Sequence, residues 1–160
     1  SEGEIVFSED DKKIAAENIF RRISLAAPYL ELIEEMTLAE LVQFHGKFKQ
    51  FGKNFSVADL IEKIKLPKAK HKAIRFFSSG MKQRVKLGLA MYAQTPILFL
   101  DEPSSNLDAA GFEWYKTEIV SCSKNRLLII ASNQLSEYDF LNPQLISVKP
   151  DTQSNSKPLL

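Results

Sequence analysis

Two adjacent carboxylates at the end of an apolar run are the sequence feature that most constrains this chain. Residues 97–100 are all apolar, without alternation, which is typical of a strand buried on both faces of a parallel sheet. Asp101 and Glu102 follow directly, and Pro103 comes next. Because ligands of open α/β sheets bind at the carboxyl ends of the strands, the pattern predicts a parallel sheet with two acidic side chains at its ligand-binding edge.

Strand-like segments also occur near both ends of the chain. We predict strands at residues 23–27, 127–131 and 145–148, and residues 3–7 form a further short β-like run. The segment 127–131 is apolar throughout, so we expect it to be buried on both faces, like the central run. The two ends of the chain therefore have the character of an α/β sheet.

The middle of the chain instead shows helical periodicity. Thr37 and Glu40 have the spacing of a capping box, and Ser56 opens a second periodic apolar segment. The inward positions of the first helix are expected to be Leu38, Leu41, Val42, His45, Phe48 and Phe51. Later helices are predicted from about Ser79 and over residues 108–124.

We therefore predict an α/β fold in which a helical segment interrupts a parallel sheet, which is a narrow class of architecture. The expected boundaries are 1–36 for an N-terminal part of the sheet core and 37–77 for a helical subdomain. The rest of the core is expected over 78–150, and a polar tail over 151–160.

Composition argues against several classes of protein. A net charge of +1 provides no bulk field that would favour nucleic acid or a membrane surface. The single cysteine, Cys122, cannot form an intramolecular disulfide, and no apolar run approaches the roughly 20 residues that a membrane helix needs. We interpret the chain as cytosolic. The basic residues between Lys63 and Arg75 are expected to face solvent, and the alternative is a contact with an acidic partner surface or with lipid headgroups.

Two further segments have the form of a ligand site, although each alone is equally typical of an ordinary helix start. The turn Ser78-Ser79-Gly80 runs into a predicted helix, where hydroxyls, free backbone N–H groups and the helix dipole favour an anion. The segment 105–108 follows Pro103, and Asp108 is expected to cap the next helix.

In order and spacing, these segments resemble the ATP-binding-cassette (ABC) ATPase family. Residues 77–81 are similar to the signature motif, whose usual form is Leu-Ser-Gly-Gly-Gln, and residues 98–102 to the Walker B strand with its catalytic glutamate. Residues 105–108 are similar to the D-loop. The resemblance is dense over 76–111 and weaker across nearly the whole chain. It implies a partial P-loop NTPase-type parallel sheet with a helical subdomain insert.

The resemblance also implies roles for the phosphate-facing residues. Members of the family bind ATP at a dimer interface, where the signature of one subunit closes over the γ-phosphate held by the P-loop of the other. The signature residues Ser78, Ser79, Gly80 and Met81 would then bind the partner's ATP, with Ser78 and Gly80 nearest the γ-phosphate. Asp108 would communicate across that interface.

Further roles implied by the resemblance concern hydrolysis and partners. Asp101 would help to place Mg²⁺, Glu102 would be the general base for the attacking water, and Asn133 would occupy the position of the family's switch histidine. The expected cofactors are ATP and Mg²⁺, and the expected partners are a second ATPase subunit in a homodimer and a membrane-spanning transporter subunit. The helical middle would contact the latter, which would place the protein on the cytoplasmic membrane face.

The sequence departs from the family pattern most clearly at the P-loop. The Walker A form is Gly-x-x-x-x-Gly-Lys-Ser/Thr, and no segment matches it. The nearest candidate, from Gly46 to Lys53, has its glycines one residue too far apart and Asn54 in place of the Ser or Thr. We interpret this as truncation upstream of Ser1, so the fragment alone is not expected to bind ATP. Loss of a central strand should expose apolar surface, which we expect self-association or altered packing to cover.

Three other positions also differ. Ala27 and Pro28 occupy the place of the family's Q-loop glutamine, and Ser79 and Met81 replace a glycine and the glutamine of the signature. Asn133 can hydrogen-bond a phosphate but cannot titrate near neutral pH as histidine can. We therefore hypothesise that the full-length protein hydrolyses ATP slowly, with Glu102 as the base.

Three functions are compatible with the sequence. The first is the ATPase subunit of a transporter, and the second is a non-transport ABC ATPase that works on ribosomes or DNA. The third is a binding module without enzymatic activity, for which the fold serves only to dock a partner. Two cassettes in one chain or long charged insertions would favour the second function, and neither is present. We therefore expect no nucleic-acid partner.

Overall fold

The computed structural model describes residues 6–9, 11–52 and 54–147. The described part begins with a small antiparallel pair, β1 (Ser8–Glu9) and β2 (Lys12–Lys13), and a single turn of helix, α1 (Ala16–Ile19). The remaining strands are β3 (Ile23–Ala26), β4 (Ile97–Asp101) and β5 (Leu127–Ala131), and the remaining helices are α2 (Leu38–Gly46), α3 (Val57–Lys63), α4 (Ser79–Tyr92) and α5 (Ala109–Cys122).

A parallel sheet of β3, β4 and β5, in that spatial order, forms the centre of the fold. Ile97 lies opposite Ile23 on one side and Leu127 on the other, and Asp101 lies opposite Ala131. The predicted α/β class, in which a helical segment interrupts a parallel sheet, is therefore confirmed. The apolar run before the two carboxylates is the central strand because β4 is hydrogen-bonded on both sides.

Hydroxyl caps begin the helices of the middle segment, as their spacing predicted. Thr37 Oγ1 accepts the amide hydrogen of Glu40, and the Glu40 carboxylate accepts the amide of Thr37 in return. Ser56 and Asp59 form the same reciprocal pair at the start of α3. Short 3₁₀ turns at Pro67–Ala69 and Ile74–Phe76 complete this segment, and a bridge between Thr37 and Ala73 brings its two ends together.

The middle segment packs on α4 through a close helix contact. Ile64, at the end of α3, is fully buried against Gly88 of α4, where an added Cβ would lie 2.2 Å from Ile64 Cγ2. Trp114 of α5 donates from Nε1 to the carbonyl of Lys63 at 2.7 Å. Helices α2 to α5 and one face of the sheet therefore share a single hydrophobic core.

The opposite face of the sheet is open, which contradicts the prediction that residues 127–131 are buried on both faces. Leu128 and Ile130 pack against the core, but Leu127 is 56% exposed and Ile129 is 41% exposed. Leu25 of β3, in the same row as Ile129, is 44% exposed. The prediction failed because apolar composition shows that a segment can be buried, whereas the actual burial depends on which elements pack against it.

Other segments also differ from the sequence-based expectations. The described residues 145–147 do not form a strand, and Val148 lies outside the described residues. Val6 and Phe7 are likewise not in a strand, and residues 3–5 lie outside the described part. Helix α2 ends at Gly46, so Phe48 is not on its inward face and is largely exposed beside Phe44.

His45 should make the stability of the fold depend on pH. Burial, and then the nearby positive charge of Lys49, lower the pKa of His45 below its ordinary value. The ring stacks on Phe51 with its centroid 5.9 Å away. A histidine with a lowered folded-state pKa contributes stability above its ordinary pKa, and this stability is lost as the pH falls through the folded-state pKa.

We expect wild type to lose stability between about pH 7.5 and pH 5.5, a window that spans the ordinary histidine pKa of about 6.5. His45→Phe should lose less over the same window, because phenylalanine keeps the ring contact and cannot be protonated. The measurement is the urea midpoint by circular dichroism at both pH values. The matched control is His71→Gln, because His71 is the chain's other histidine and is exposed. This variant should behave as wild type. Equal losses in wild type and His45→Phe would contradict this assignment.

Candidate functional site

The two carboxylates lie where the central strand ends and the chain turns sharply. Asp101 is the last residue of β4 and is partly buried, whereas Glu102 is exposed. The φ angle of Glu102 is +40°, which is strained for a residue with a side chain. Its N–H donates to the carbonyl of Ala131 at 2.9 Å, and its own carbonyl accepts from Ser105 N at 3.0 Å. Strain that is held by hydrogen bonds in this way is concentrated at functional sites.

Asn133 reaches the same edge of the sheet from the neighbouring strand. Because β5 runs parallel to β4 with Ala131 opposite Asp101, Glu102 and Asn133 both lie just beyond the carboxyl ends of paired strands. Asn133 is exposed, and Ser132 Oγ accepts from Gln134 N at 2.9 Å, which closes a turn around it. The strand register therefore places Asp101, Glu102 and Asn133 at the same edge of the sheet.

The carboxylates at this edge fit a magnesium ion in their donor chemistry. Within the described ranges, the side chains of Asp101 and Glu102 make no hydrogen bond or ion pair with protein groups. Mg²⁺ prefers carboxylate oxygens and usually keeps several water ligands, with phosphate oxygens in nucleotide sites. No cluster of three or more acidic, histidine or cysteine side chains is assembled in the part of the chain that the structure describes. One or two carboxylates would therefore hold the ion, and water and phosphate would supply the other ligands.

The signature-like segment forms the N-terminus of α4. Ser78 is the N-cap, and its Oγ accepts from Met81 N at 3.2 Å. Ser78 and Ser79 are exposed, and Gly80 and Met81 are partly exposed. The first turn of a helix of 14 residues therefore faces outward with its positive dipole end, which suits an anion.

The loop of residues 103–108 packs directly against this helix start. An added Cβ on Gly80 would lie 2.8 Å from the carbonyl oxygen of Asn106, so only glycine fits without moving the loop. Gln83, which is buried, donates from Nε2 to the carbonyl of Pro103 at 3.0 Å. Arg84 contacts Asp108 at 3.3 Å. The signature segment and the segment after Glu102 are thus one packed unit.

Asp108 caps helix α5, as the sequence predicted. Its Oδ1 accepts from Gly111 N at 2.7 Å, and this hydrogen bond, followed by the contact with Arg84, lowers the pKa of the Asp108 carboxyl. This hydrogen bond within the chain is enough to explain why an aspartate stands at position 108. A role for Asp108 across a dimer interface remains a prediction.

Several polar residues of this region were not assigned a role from the sequence. Lys86 of α4 donates from Nζ to the carbonyl of Pro28 at 2.6 Å. This hydrogen bond connects α4 to Ala27 and Pro28, which occupy the place expected for the Q-loop glutamine. Burial, and then the charge of Lys82, lower the pKa of Lys86. Glu137 is fully buried and bonds Ser104. Their partners are distant in sequence, and no local pattern indicates these contacts.

Gly80→Ala should displace the loop that follows Glu102. The new methyl group would meet the backbone carbonyl of Asn106, which can give way only if the loop moves. Overpacking of this kind lowers the free energy of unfolding by about 1–3 kcal/mol. The higher helix propensity of alanine offsets up to ~1 kcal/mol of that loss. We expect altered amide chemical shifts over residues 104–108 and no gain in the free energy of unfolding. Ser79→Ala, at the exposed neighbouring position, should leave these shifts in place; unchanged shifts in Gly80→Ala would show that the loop is not held by this contact.

Comparison with known proteins identifies the family. The sequence model of the family described as "ABC transporter" matches residues 1–105. The chain is 25% identical over 130 residues to ABC transporter A family member 8 of Dictyostelium discoideum, covering 79% of this chain and 16% of that protein. It is 30% identical over 112 residues to the daunorubicin resistance ATP-binding protein DrrA3 of Streptomyces coeruleorubidus, covering 68% of this chain and 35% of that protein.

The fold comparison agrees. A solved structure described as the ATP-binding subunit of an ABC transporter superposes with a TM-score of 0.63 at 21% identity, covering 72% of this chain and 50% of that one. This chain therefore spans half of the matched structure and a smaller part of the two relatives named above. None of the described helices is long and apolar enough to cross a membrane. The family model, the relatives and the fold together show that this chain belongs to the ABC transporter family, as part of its ATPase module.

Proposed function

We propose that this chain is the part of an ABC transporter ATPase subunit that contains the signature, Walker B and D-loop segments. The observation that supports the proposal is the placement of Asp101, Glu102 and Asn133 at the carboxyl edge of two paired parallel strands. No Walker A segment occurs in the 160 residues, so the proposal requires a P-loop from residues outside them, in the same chain or in another.

In the proposed site, each residue has one task. Asp101 helps to hold Mg²⁺, which neutralises phosphate charge when it is bound. Glu102 accepts a proton from the attacking water, and Asn133 hydrogen-bonds the phosphate that is released. Ser78, Ser79, Gly80 and Met81 present the start of α4 to the γ-phosphate of ATP held by a second subunit. Their exposure at the N-terminus of that helix supports this task.

The proposed partners follow from the same arrangement. A second ATPase subunit, in a homodimer, places ATP against the signature segment, and Asp108 lies on the loop that would face it. A membrane-spanning subunit docks on the helical part, residues 37–77, so that the protein acts at the cytoplasmic face of the membrane. The division into 1–36, 37–77, 78–150 and 151–160 belongs to this proposal. The names of the relatives, which include a resistance ATP-binding protein, support a transport role rather than one on ribosomes or DNA.

Glu102→Gln should abolish most ATP hydrolysis by the complete gene product. Glutamine keeps the size of the side chain but cannot accept the proton of water, and loss of a general base typically costs about 10²–10⁴-fold in rate. The measurement is steady-state phosphate release with saturating ATP and Mg²⁺. Glu113→Gln changes an exposed carboxylate on α5 that pairs with Lys116, and it is the matched control with wild-type turnover. If wild type shows no ATP binding or hydrolysis, the chain is a binding module instead.

Asn133→His should raise turnover. Histidine can hydrogen-bond the phosphate as asparagine does and can also exchange a proton near neutral pH, so we expect a gain of up to ~10²-fold in kcat, at the lower end of general acid–base effects. The KM for ATP should change little. Asn18→His, on the exposed face of α1, controls for the added imidazole. A lower kcat in Asn133→His would contradict this prediction and would mean that turnover requires the asparagine amide at this position.

A further inference from the structure

A buried carboxylate lies beneath the candidate site and plays no part in the chemistry described so far. Glu137 ends the 3₁₀ turn Leu135–Glu137, four residues after Asn133, and it is 0% exposed. Acidic side chains are seldom fully buried, because removing a charge from water is costly unless specific partners replace the water. The partners of Glu137 therefore indicate what the residue does.

One oxygen of Glu137 holds the main chain of the loop that follows Glu102. Its Oε1 accepts the N–H of Ser104 at 2.8 Å and also accepts the hydroxyl hydrogen of Ser104. Ser104 is two residues beyond Glu102. A backbone N–H that is taken from water needs such an acceptor, so the carboxylate fixes where the loop begins.

Glu137 is itself held in place by the core. The hydroxyl of Tyr115, a fully buried residue of α5, donates to the Glu137 carbonyl at 2.9 Å. Burial, and then the charge of Glu137, raise the pKa of Tyr115, which keeps the phenol protonated and able to donate. On its other side, the loop is held by Gln83 of α4 through the carbonyl of Pro103. Residues 103 and 104 are thus clamped from two directions.

The second oxygen of Glu137 takes no part in holding the loop. Oε2 is buried and has no hydrogen-bond partner in the described part of the chain. The side-chain contacts between Glu137 and Ser104 are both made through Oε1, so this one oxygen sets the position of Ser104.

We propose that Glu137 is a positioning residue that fixes the segment of Asn133 to the loop of residues 103–108, so that Glu102 and Asn133 keep one relative position. Glu102 lies directly before the clamped loop, and Asn133 lies two residues before the turn that carries the clamp. Displacing either segment would separate the base from the amide. The catalytic part of this inference rests on the proposed ATPase function, whereas the clamp itself does not.

The clamp is tested by hydrogen exchange in the complete gene product, whether or not that protein hydrolyses ATP. Glu137→Ala leaves the Ser104 amide without its acceptor, so exchange in peptides spanning residues 103–108 should increase. Glu137→Gln retains an acceptor oxygen and should stay close to wild type, which also keeps the test open if Glu137→Ala does not fold. Ser104→Ala removes only the hydroxyl contact and should give an intermediate effect. Unchanged exchange in Glu137→Ala, or equal effects in Ala and Gln, would overturn the clamp.

The consequence for catalysis is tested by steady-state kinetics. Displacing a reacting group by about 1 Å can cost about 10²-fold in rate, so Glu137→Ala should lower kcat by up to that factor with little change in the KM for ATP. Glu137→Gln should restore most of the turnover. If wild type hydrolyses ATP and Glu102→Gln does not, but Glu137→Ala keeps its kcat, the positioning role is wrong and the proposed function stands. If wild type does not hydrolyse ATP, the proposed function fails, and hydrogen exchange alone decides the role of Glu137.

Discussion

The structure depends on the two-sided parallel pairing of β4. Hydrogen bonds to β3 and β5 fix the register in which Asp101 lies opposite Ala131. That register decides which residues leave the sheet side by side, because both strands end at the same level. The ladder then extends by one further bond, from Glu102 to Ala131, although the backbone at Glu102 has already turned to a positive φ. The backbone geometry of the candidate site is therefore set by main-chain hydrogen bonds.

Beyond the sheet edge, side chains replace the main-chain ladder as the source of order. Gln83 and Glu137 approach the loop at Pro103 and Ser104 from α4 and from the segment after β5. Asp108 closes the same loop by capping α5. These contacts are hydrogen bonds in buried or partly buried surroundings, so they fix the position of the loop more specifically than apolar packing would. These hydrogen bonds connect the helix that begins at Ser78 and Gly80 with the loop that follows the strand of Asp101.

The sequence predicts the parts of this arrangement that depend on neighbouring residues. The capping residues Thr37 and Ser56, the central strand and the start of α4 follow from spacing within a few positions. The roles expected for Glu102 and Ser78 come from the resemblance of their short motifs to those of a family, and these roles stay predictions. The placement of Glu102 and Asn133 at one edge of the sheet additionally required the correct pairing of two strands.

Contacts between distant residues could not be predicted. Glu137 bonds Ser104 across 33 positions, and nothing near either residue marks the pair. The exposure of Leu127 and Ile129 was missed for a related reason, since an apolar strand has the same sequence whether or not another layer covers it. Helix α2 stopped earlier than its periodicity suggested, with His45 stacked on Phe51 just beyond its end.

The open face of the sheet has a thermodynamic consequence. Leu25, Leu127 and Ile129 leave an apolar surface on the side of the sheet away from the helices, and β5 ends the described sheet with its outer edge unpaired. Any segment that covers this face or pairs with that edge only in the folded state adds its binding free energy to that of folding. The domain's stability is therefore linked to the occupancy of this surface. If the segment that occupies it also carries a P-loop, then assembling the proposed nucleotide site and completing the fold are a single equilibrium.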